Sequence, residues 1–371
     1  METLISNLKE KFNIEGELLN YKIFKSGHIN TTIMARFEID DKIKEYVFQK
    51  INKHVFKKPE DVMENISNVT NFIKNKLKSR GEKTSRRILK FYPSKTGKYY
   101  TLDDEGDYWR TYKFVNKSTS FNETNNLTIL EETGKAFGEF QQLLDDFPIQ
   151  DLNIIIPHFH NTVNRYEIFK ETLLNDPMGR VKYVKNEIQE FLALEQIATK
   201  MYKMQKQGTL NLRVTHNDTK CNNVLFDEET HKYLCVIDLD TIMPGLVGFD
   251  FGDAVRFAAN TSTEDETDLD KVQLDFDKFE ALTKGFLSRV SNSLTKEEKQ
   301  TLVLGAITMT VECGLRFLTD YIDGDHYFKT EHLDHNLDRA RCQLKLAKDM
   351  IKNYNKMQDI VRLHCNSCSV D

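Results

Sequence analysis

Alternating apolar and polar positions dominate the first third of the chain. Residues 21–37 read as two strands around a turn at 25–30, and residues 45–51 read as a third strand. Residues 99–102 and 108–115 predict a further hairpin, because a run of acidic residues and glycine separates them. The chain is therefore expected to begin with a small β-rich region.

Helical periodicity takes over from residue 127 onwards, after one earlier helix. Pro59, followed by acidic residues, predicts the start of that earlier helix. Its apolar positions recur every three or four residues, at Val62, Ile66, Val69 and Ile73. Thr295 and Glu298 predict a capping box on a later helix that reaches Ile322. The pattern predicts an α+β protein whose larger, C-terminal part is mainly helical.

The length of 371 residues supports two lobes, because single cores stop growing at about 250 to 300 residues. We expect an N-terminal lobe at 1–116 and a C-terminal lobe at 117–371. A hydrophobic content of 39% and a charged content of 29% are typical of a soluble globular protein. The net charge of -5 argues against a dedicated nucleic-acid binder.

The compartment expected from the sequence is the cytoplasm. The most apolar long stretch, residues 302–318, is interrupted by Glu312 and Arg316, so it does not read as a membrane span. No apolar core follows Met1, which argues against a signal peptide. The six cysteines are scattered, as expected for thiols in a reducing compartment.

Two polar segments carry the chemistry. His216 and Asp218 precede Asn223 with the spacing His-x-Asp-x-x-x-x-Asn, and a predicted hairpin then leads to Asp238. This order is typical of phosphoryl-transfer loops. Asp218 is the candidate proton acceptor, whereas Asn223 and Asp238 offer the oxygen ligands that Mg2+ prefers. Each segment alone would read as a polar turn or a strand-end cap, but both in this order favour a catalytic site.

A lysine in the β-rich region is a candidate phosphate contact. Lys50 ends the third strand and shares a face with Phe48, because strand side chains alternate. Glu64, on the helix that follows, is its candidate ion partner. The alternative is that Lys50 is only an exposed lysine at a strand end.

The helix after Thr295 has a second feature. Glu312, Arg316 and Asp320 recur every fourth residue, so they fall on one face of an otherwise apolar helix. This spacing predicts either a charged stripe lining a cleft or a surface salt-bridge ladder.

Over nearly its whole length the sequence resembles the aminoglycoside-phosphotransferase-like kinases of the protein-kinase-like superfamily. Within them it resembles the N-acetylhexosamine 1-kinases. The segments that carry the resemblance are 26–30 (SGHIN), 49–52 (QKIN), 157–162 (PHFHNT) with Arg165, 215–220 (THNDTK), 238–246 (DLDTIMPGL), 250–253 (DFGD) and 316–321 (RFLTDY).

The resemblance implies a bilobal protein-kinase-like fold and transfer of the ATP γ-phosphate to the anomeric hydroxyl of an N-acetylhexosamine, with Mg2+ required. Nucleotide would bind the N-terminal lobe at Lys50 and Glu64, with adenine near Val115, and the C-terminal lobe would carry catalysis and substrate binding. The implied partners are ATP and a small sugar, without nucleic acid or membrane, and a monomer is expected. The implied sugar contacts are His28, Asn30, Arg316 and Tyr321.

Two other classes stay open. One is a kinase for another small alcohol, such as an aminoglycoside, a choline-like amino alcohol or homoserine. A cationic substrate of that kind would need more acidic residues near the late helix than Glu312 and Asp320 provide. The other class is a non-catalytic nucleotide-binding scaffold, which would be expected to have lost Asp218, Asn223 or Asp238.

Overall fold

The computed structural model describes residues 1–24 and 30–367. The strands in these ranges are β1 (Glu17–Phe24), β2 (Thr31–Ile39), β3 (Lys42–Lys50), β4 (Thr101–Leu102), β5 (Tyr108–Lys113), β6 (Ser118–Thr119), β7 (Arg213–Thr215), β8 (Val224–Asp227), β9 (Tyr233–Val236) and β10 (Met243–Gly245). The predicted turn at 25–30 lies outside the described residues except for Asn30. The predicted strands and hairpins at 21–51, 99–115 and 224–237 are confirmed.

The helices are α1 (Glu2–Lys11), α2 (Pro59–Ser79), α3 (Leu127–Leu143), α4 (Thr162–Asn175), α5 (Lys185–Ala193), α6 (Glu195–Ala198), α7 (Lys200–Lys206), α8 (Val247–Ala258), α9 (Phe276–Val290), α10 (Lys296–Asp323), α11 (His335–Lys352) and α12 (Tyr354–Ser367). Two begin as the sequence predicts. Pro59 is the first residue of α2, and Thr295 and Glu298 form the capping box of α10. The predicted α+β class is confirmed.

The chain divides by packing into two compact units. One comprises the described residues of Met1–Thr119, with Asp146–Pro157 and Leu225–Met243. The other comprises Ser120–Asp145, His158–Val224 and the described residues from Pro244 onwards. The predicted nucleotide-binding and substrate-binding lobes concern function as well as packing, and they stay a prediction.

The first unit is built on an antiparallel sheet with the strand order β1-β2-β3-β5-β4. Helix α1 packs its apolar residues Ile5 and Leu8 on one face of this sheet, against Phe37, Phe48 and Trp109. The aromatic rings of Phe37 and Phe48 meet edge to face, 6.3 Å apart. This face of the sheet is therefore the hydrophobic core of the first unit.

A smaller sheet in the same unit has the order β6-β8-β9. Strands β8 and β9 form the predicted hairpin, and β6 adds to it through Ser118 and Thr119. Arg86 also ties this sheet to the chain before it, with an ion pair of 3.0 Å to Asp227. The hairpin delivers the chain into the acidic turn that contains Asp238.

The second unit is held together by helices that approach closely at glycines. A Cβ at Gly252 on α8 would lie 2.4 Å from the carbonyl oxygen of Gly305 on α10. A Cβ at Gly138 on α3 would lie 2.4 Å from the carbonyl oxygen of Phe286 on α9. Because any larger residue would push these backbones apart, the glycines fix the spacing of both helix pairs.

Helix α10 is the central helix of the second unit. It is long and apolar enough to cross a membrane by length and composition alone, but 89% of its most apolar window is buried inside the protein. It contacts α4, α8 and α11. Its apolar character is therefore accounted for by its place in the core.

Candidate active site

The loop after β7 carries His216, Asn217 and Asp218. His216 is buried, with its ring edge against Phe137 and Phe140 on α3. Its Nδ1 accepts a hydrogen bond of 3.3 Å from the backbone N–H of Asp218. His216 therefore holds the loop in place.

Two carboxylates on α8 accept hydrogen bonds from the backbone of the same loop. Asp250 accepts from the backbone N–H groups of His216 (2.9 Å) and Asn217 (2.8 Å). Asp253 accepts from the backbone N–H of Thr219 at 2.9 Å and forms an ion pair with Arg256. The segment 250–256, which forms part of α8, therefore has a structural role beneath the loop.

The pKa values of Asp250 and Asp253 are shifted in opposite directions by their surroundings. Burial raises the pKa of Asp250, although His216 and the loop N–H groups oppose the shift. Burial would also raise the pKa of Asp253, but the nearby charges of Arg256 and Lys220 lower it on balance. Asp253 is therefore held in its charged form beneath the loop.

Asp218 lies between two donors in the second unit. Lys220 Nζ is 3.0 Å from Asp218 Oδ1, and the amide nitrogen of Asn223 donates to Asp218 Oδ2 at the same distance. Lys220 was not among the residues assigned a role from sequence. The signal for it was its position two residues after Asp218, in the loop that the motif defines.

Asn223 and Asp238 carry side-chain oxygens of the kind that Mg2+ binds. Because the nitrogen of Asn223 donates to the carbonyl and the carboxylate of Asp218, its amide oxygen is turned away from Asp218. Within residues 1–24 and 30–367, no group of three His, Cys, Asp or Glu side chains could hold a metal. Mg2+ bound to nucleotide needs only one or two carboxylates, because phosphates and waters complete its shell.

Asp238 lies in the first unit, at the entry of a 3-10 turn, Leu239–Thr241. Its backbone is left-handed, with φ 59° and ψ 58°, which is strained for a residue other than glycine. Asp240 in the same turn is buried and bonds to Arg110 and Asn30. Both oxygens of Asp240 are therefore engaged within the first unit.

Lys50 does not pair with Glu64, so the expected ion pair is wrong. Lys50 Nζ lies 2.9 Å from Asp107 Oδ2, and Glu64 accepts from the side chain of Asn153. The hydrogen bond that Lys50 donates to Asp107 raises the pKa of Lys50. Alternation had placed Lys50 correctly on the face of Phe48, but α1 covers that face.

The neighbouring residue Gln49 points the other way. Its Oε1 accepts from Arg110 Nη2 at 2.7 Å, and Arg110 in turn pairs with Asp240. The acidic turn therefore contacts the sheet face opposite to Lys50. A phosphate role for Lys50 or Glu64 stays a prediction, and the position of Lys50 counts against it.

The other residues assigned to ligand contacts in the first unit are largely occupied. Val115 is buried, and its carbonyl accepts from the hydroxyl of Ser118 at 2.6 Å. Asn30 is also buried and uses both ends of its amide, donating to Asp240 and accepting from the backbone N–H of Asn52. His28 lies outside the described residues. Their binding roles stay predictions.

The charged stripe on α10 is neither a surface ladder nor a continuous cleft lining. Glu312 is 1% exposed; His160 Nδ1 lies 2.8 Å from one of its oxygens, and the hydroxyl of Thr162 donates to the other. Burial would raise the pKa of Glu312, but His160 and Arg165 lower it on balance. His160 and Thr162 thereby join their segment to α10.

Asp320 is occupied in the same way. It accepts from the backbone N–H groups of residues 326, 327 and 328, and from the side chain of Asn336. These bonds fix the loop that follows α10. Both acidic residues of the stripe therefore serve internal networks.

Arg316 is the half-buried member of the stripe. Its guanidinium lies over the rings of Tyr327 and Phe328, at 5.4 Å and 5.3 Å from their centres. Tyr321 is only 5% exposed, and the guanidinium of Arg180 covers its ring, so its burial argues against substrate contact. Tyr327, which lies beside Arg316, is 69% exposed. The sequence did not predict this position, because Tyr327 follows α10 in the chain and is held near the helix by its hydrogen bond to Asp320.

The chain matches the model of the Phosphotransferase enzyme family, APH, over residues 82–282. This match spans more than half of the 371 residues, so the chain belongs to that family. The predicted phosphotransferase class is thereby confirmed.

Solved structures show the same fold. A microcompartment-associated aminopropanol kinase is 13% identical, with a TM-score of 0.58 and coverage of 96% of this chain and 99% of that chain. Choline kinase from Cryptosporidium parvum Iowa II is 14% identical, with a TM-score of 0.57 and coverage of 99% of each chain. Spectinomycin phosphotransferase in complex with ADP and spectinomycin is 13% identical, with a TM-score of 0.54 and coverage of 98% of each. The predicted kinase-like fold is confirmed.

Proposed function

We propose that this phosphotransferase moves the γ-phosphate of ATP to the anomeric hydroxyl of an N-acetylhexosamine, N-acetylglucosamine or N-acetylgalactosamine. Family membership supports phosphoryl transfer. The finer assignment is supported by the segments 243–246 (MPGL) and 316–321 (RFLTDY), which carry the resemblance to N-acetylhexosamine 1-kinases. A cytoplasmic, monomeric protein that binds only ATP and sugar is part of the proposal.

One observation favours a neutral substrate over a cationic one. Aminopropanol and choline, for which two kinases of similar structure are named, carry a positive charge at pH 7. Glu312 and Asp320, the acids that could attract such a charge, are committed to internal hydrogen bonds. The guanidinium of Arg316 already covers Tyr327 and Phe328, the rings that could otherwise hold a cation.

The proposed roles in the transfer follow from the loop. Asp218 orients the sugar hydroxyl and accepts its proton as the new O–P bond forms and the bond from the γ-phosphorus to the β-γ bridging oxygen breaks. Lys220, 3.0 Å from Asp218, keeps that carboxylate in place and adds positive charge near the reacting oxygens. Such transfers depend chiefly on position and charge, so a simple carboxylate is a sufficient base.

Asn223 and Asp238 would hold Mg2+ through their oxygens. The ion would neutralise charge on the phosphates. The two residues belong to different units, so their joint action is part of the proposal.

A substrate panel tests the proposal. The purified protein is incubated with ATP, Mg2+ and each of N-acetylglucosamine, N-acetylgalactosamine, glucose, aminopropanol, choline, homoserine and spectinomycin, and products are identified by phosphorus NMR. We expect a sugar 1-phosphate from the N-acetylhexosamines only, and none from the Asp218→Asn variant. Faster transfer to an amino alcohol or to spectinomycin would reject the sugar assignment. The absence of any product together with tight ATP binding would indicate a non-catalytic scaffold.

A further inference from the structure

The acidic turn of the first unit contains two carboxylates two residues apart, Asp238 and Asp240. A cation site could use either one or both. The contacts of Asp240 distinguish these cases, since both of its oxygens are engaged within the protein.

Asp240 is held by two side chains from the large sheet. Arg110 Nη1 forms an ion pair with one oxygen, and the side-chain nitrogen of Asn30 donates to the other at 2.5 Å. The side chains of Arg110 and Asp240 are only 2% and 3% exposed. Burial would lower the pKa of Arg110, but Asp240 raises it on balance, so the guanidinium is charged. An oxygen that bonds to a buried guanidinium is a poor ligand for a second cation.

Arg110 is itself held in place by two further side chains, those of Gln49 and Met63. Gln49, its partner in the β3–β5 register, accepts from Nε at 3.0 Å and from Nη2 at 2.7 Å. Met63 on α2 lies against Nη1. The guanidinium therefore presents Nη1 to Asp240 from a single orientation.

The exit of the turn is held as well. The side chain of Asn65 on α2 donates to the carbonyl of Ile242 at 2.9 Å. Asp238 adopts its left-handed backbone immediately before these fixed points. Such a conformation is strained for a residue other than glycine and persists only where its surroundings determine it.

We propose that Arg110 and Asn30 clamp Asp240 as positioning residues that set the acidic turn, so that Asp238 alone of the two carboxylates would contact a nucleotide-bound divalent cation. Asp240 acts through the turn and is not a cation ligand. The inference rests on the proposed function only through the role of Asp238. It also makes Asn30 part of this clamp.

The test measures Mn2+ binding in the presence of ADP by electron paramagnetic resonance, with ADP affinity without metal measured by calorimetry. The variants are Asp238→Asn, Asp240→Asn, Arg110→Met and Arg110→Lys. Arg36→Gln is the matched control, because Arg36 pairs with Glu45 on the same sheet but is exposed. Circular dichroism checks that each variant is folded.

We expect Asp238→Asn to abolish the binding of Mn2+ to the complex of the protein with ADP. Arg110→Met should weaken Mn2+ binding about tenfold or more, the usual effect of losing a residue that orients a ligand. Arg110→Lys should recover part of this loss, and Asp240→Asn, which breaks the same clamp, should weaken Mn2+ binding about as much as Arg110→Met and less than Asp238→Asn. Metal-free ADP binding should stay unchanged throughout.

Equal losses in Asp240→Asn and Asp238→Asn would overturn the inference, because Asp240 would then behave as a ligand. Unchanged Mn2+ binding in folded Arg110→Met would also overturn it. If Arg110→Met does not fold, the comparison of Asp240→Asn with Asp238→Asn still decides. Unchanged binding in Asp238→Asn would instead reject the metal role in the proposed function.

Discussion

The ammonium of Lys220 lies 3.0 Å from the carboxylate of Asp218, and the same carboxylate accepts from the amide of Asn223. Burial would lower the pKa of Lys220, but Asp218 and Asp253 raise it on balance. Asp253 also accepts from the backbone N–H of Thr219. The candidate base is therefore oriented by side-chain donors in a loop that a second carboxylate supports.

Replacement of Asp218 by Asn should lower kcat by about 10²-fold to 10⁴-fold, the range for loss of a positioned base. An amide has nearly the same shape but cannot accept the proton. ATP binding should be unaffected. Single-turnover assays on folded protein measure the chemical step, and near-normal chemistry would remove Asp218 from this role.

The Lys220→Met variant is the control for that experiment. Asp218→Asn also deprives Lys220 of its counter-ion, so part of its effect could come from the lysine. If Lys220→Met reproduces the full loss of kcat, the loss in Asp218→Asn reports the charge pair and not the base.

The candidate catalytic loop could be located from sequence because its residues lie close together in the chain. Asp218 and Asn223 fall within one short motif that can be recognised by its spacing, but the contacts of Asp218 with Lys220 and Asn223 were seen only in the structure. The strands of the large sheet were predicted for the same reason, since alternation is a local property.

Contacts between distant segments could not be predicted in this way. Alternation placed Lys50 beside Phe48, but it could not show that α1 would cover that face. Helix α1 was missed because its N-terminus has no side-chain cap. The Arg110 and Asp240 pair joins residues 130 positions apart, and no local pattern marks it.

Replacement of Asp238 by Ala should weaken Mg2+-dependent turnover more than replacement of Asn223, because it deletes a charged ligand and not a neutral one. Mg2+ titrations at saturating ATP measure the difference. The buried contacts of Asp240 should prevent it from substituting for Asp238. An unchanged Mg2+ requirement in the Asp238 variant would contradict the proposed metal site.

Replacement of His160 by Phe should destabilise the fold and change how its stability depends on pH. The variant keeps an aromatic ring beside Phe249 but leaves Glu312 with fewer partners. A buried group left unpaired costs about 1 to 3 kcal/mol. Urea unfolding at pH 7 measures this loss, and Phe159→Leu, at the adjacent ring, is the control.

The pH dependence has a definite sign. The pKa of Glu312 is lowered in the folded wild type, so its contribution is present above the unfolded pKa and is lost as pH falls through the folded pKa. Without His160 the pKa of Glu312 should rise. The variant should therefore lose less stability than the wild type between pH 7 and pH 4. Equal losses would show that His160 does not sustain the charge of Glu312.

Replacement of Arg316 by Ala should raise KM for the N-acetylhexosamine far more than KM for ATP. Its guanidinium is half-buried against Tyr327 and Phe328, and it offers several donors in a fixed plane to ring hydroxyls or the acetamido oxygen. Hydrogen bonds to a charged group contribute about 1.5 to 3 kcal/mol, which corresponds to roughly tenfold to hundredfold in KM. Steady-state kinetics with each substrate varied in turn measure the two constants.

The competing explanation is a loss of packing, because Arg316 also covers two aromatic rings. Arg339→Ala separates the two effects, since Arg339 lies over Phe317 in the same region and has no proposed substrate contact. If both variants are folded and only Arg316→Ala raises KM for the sugar, the guanidinium acts on the substrate. If both KM values are unchanged in folded Arg316→Ala, or if only ATP binding weakens, Arg316 does not face the sugar.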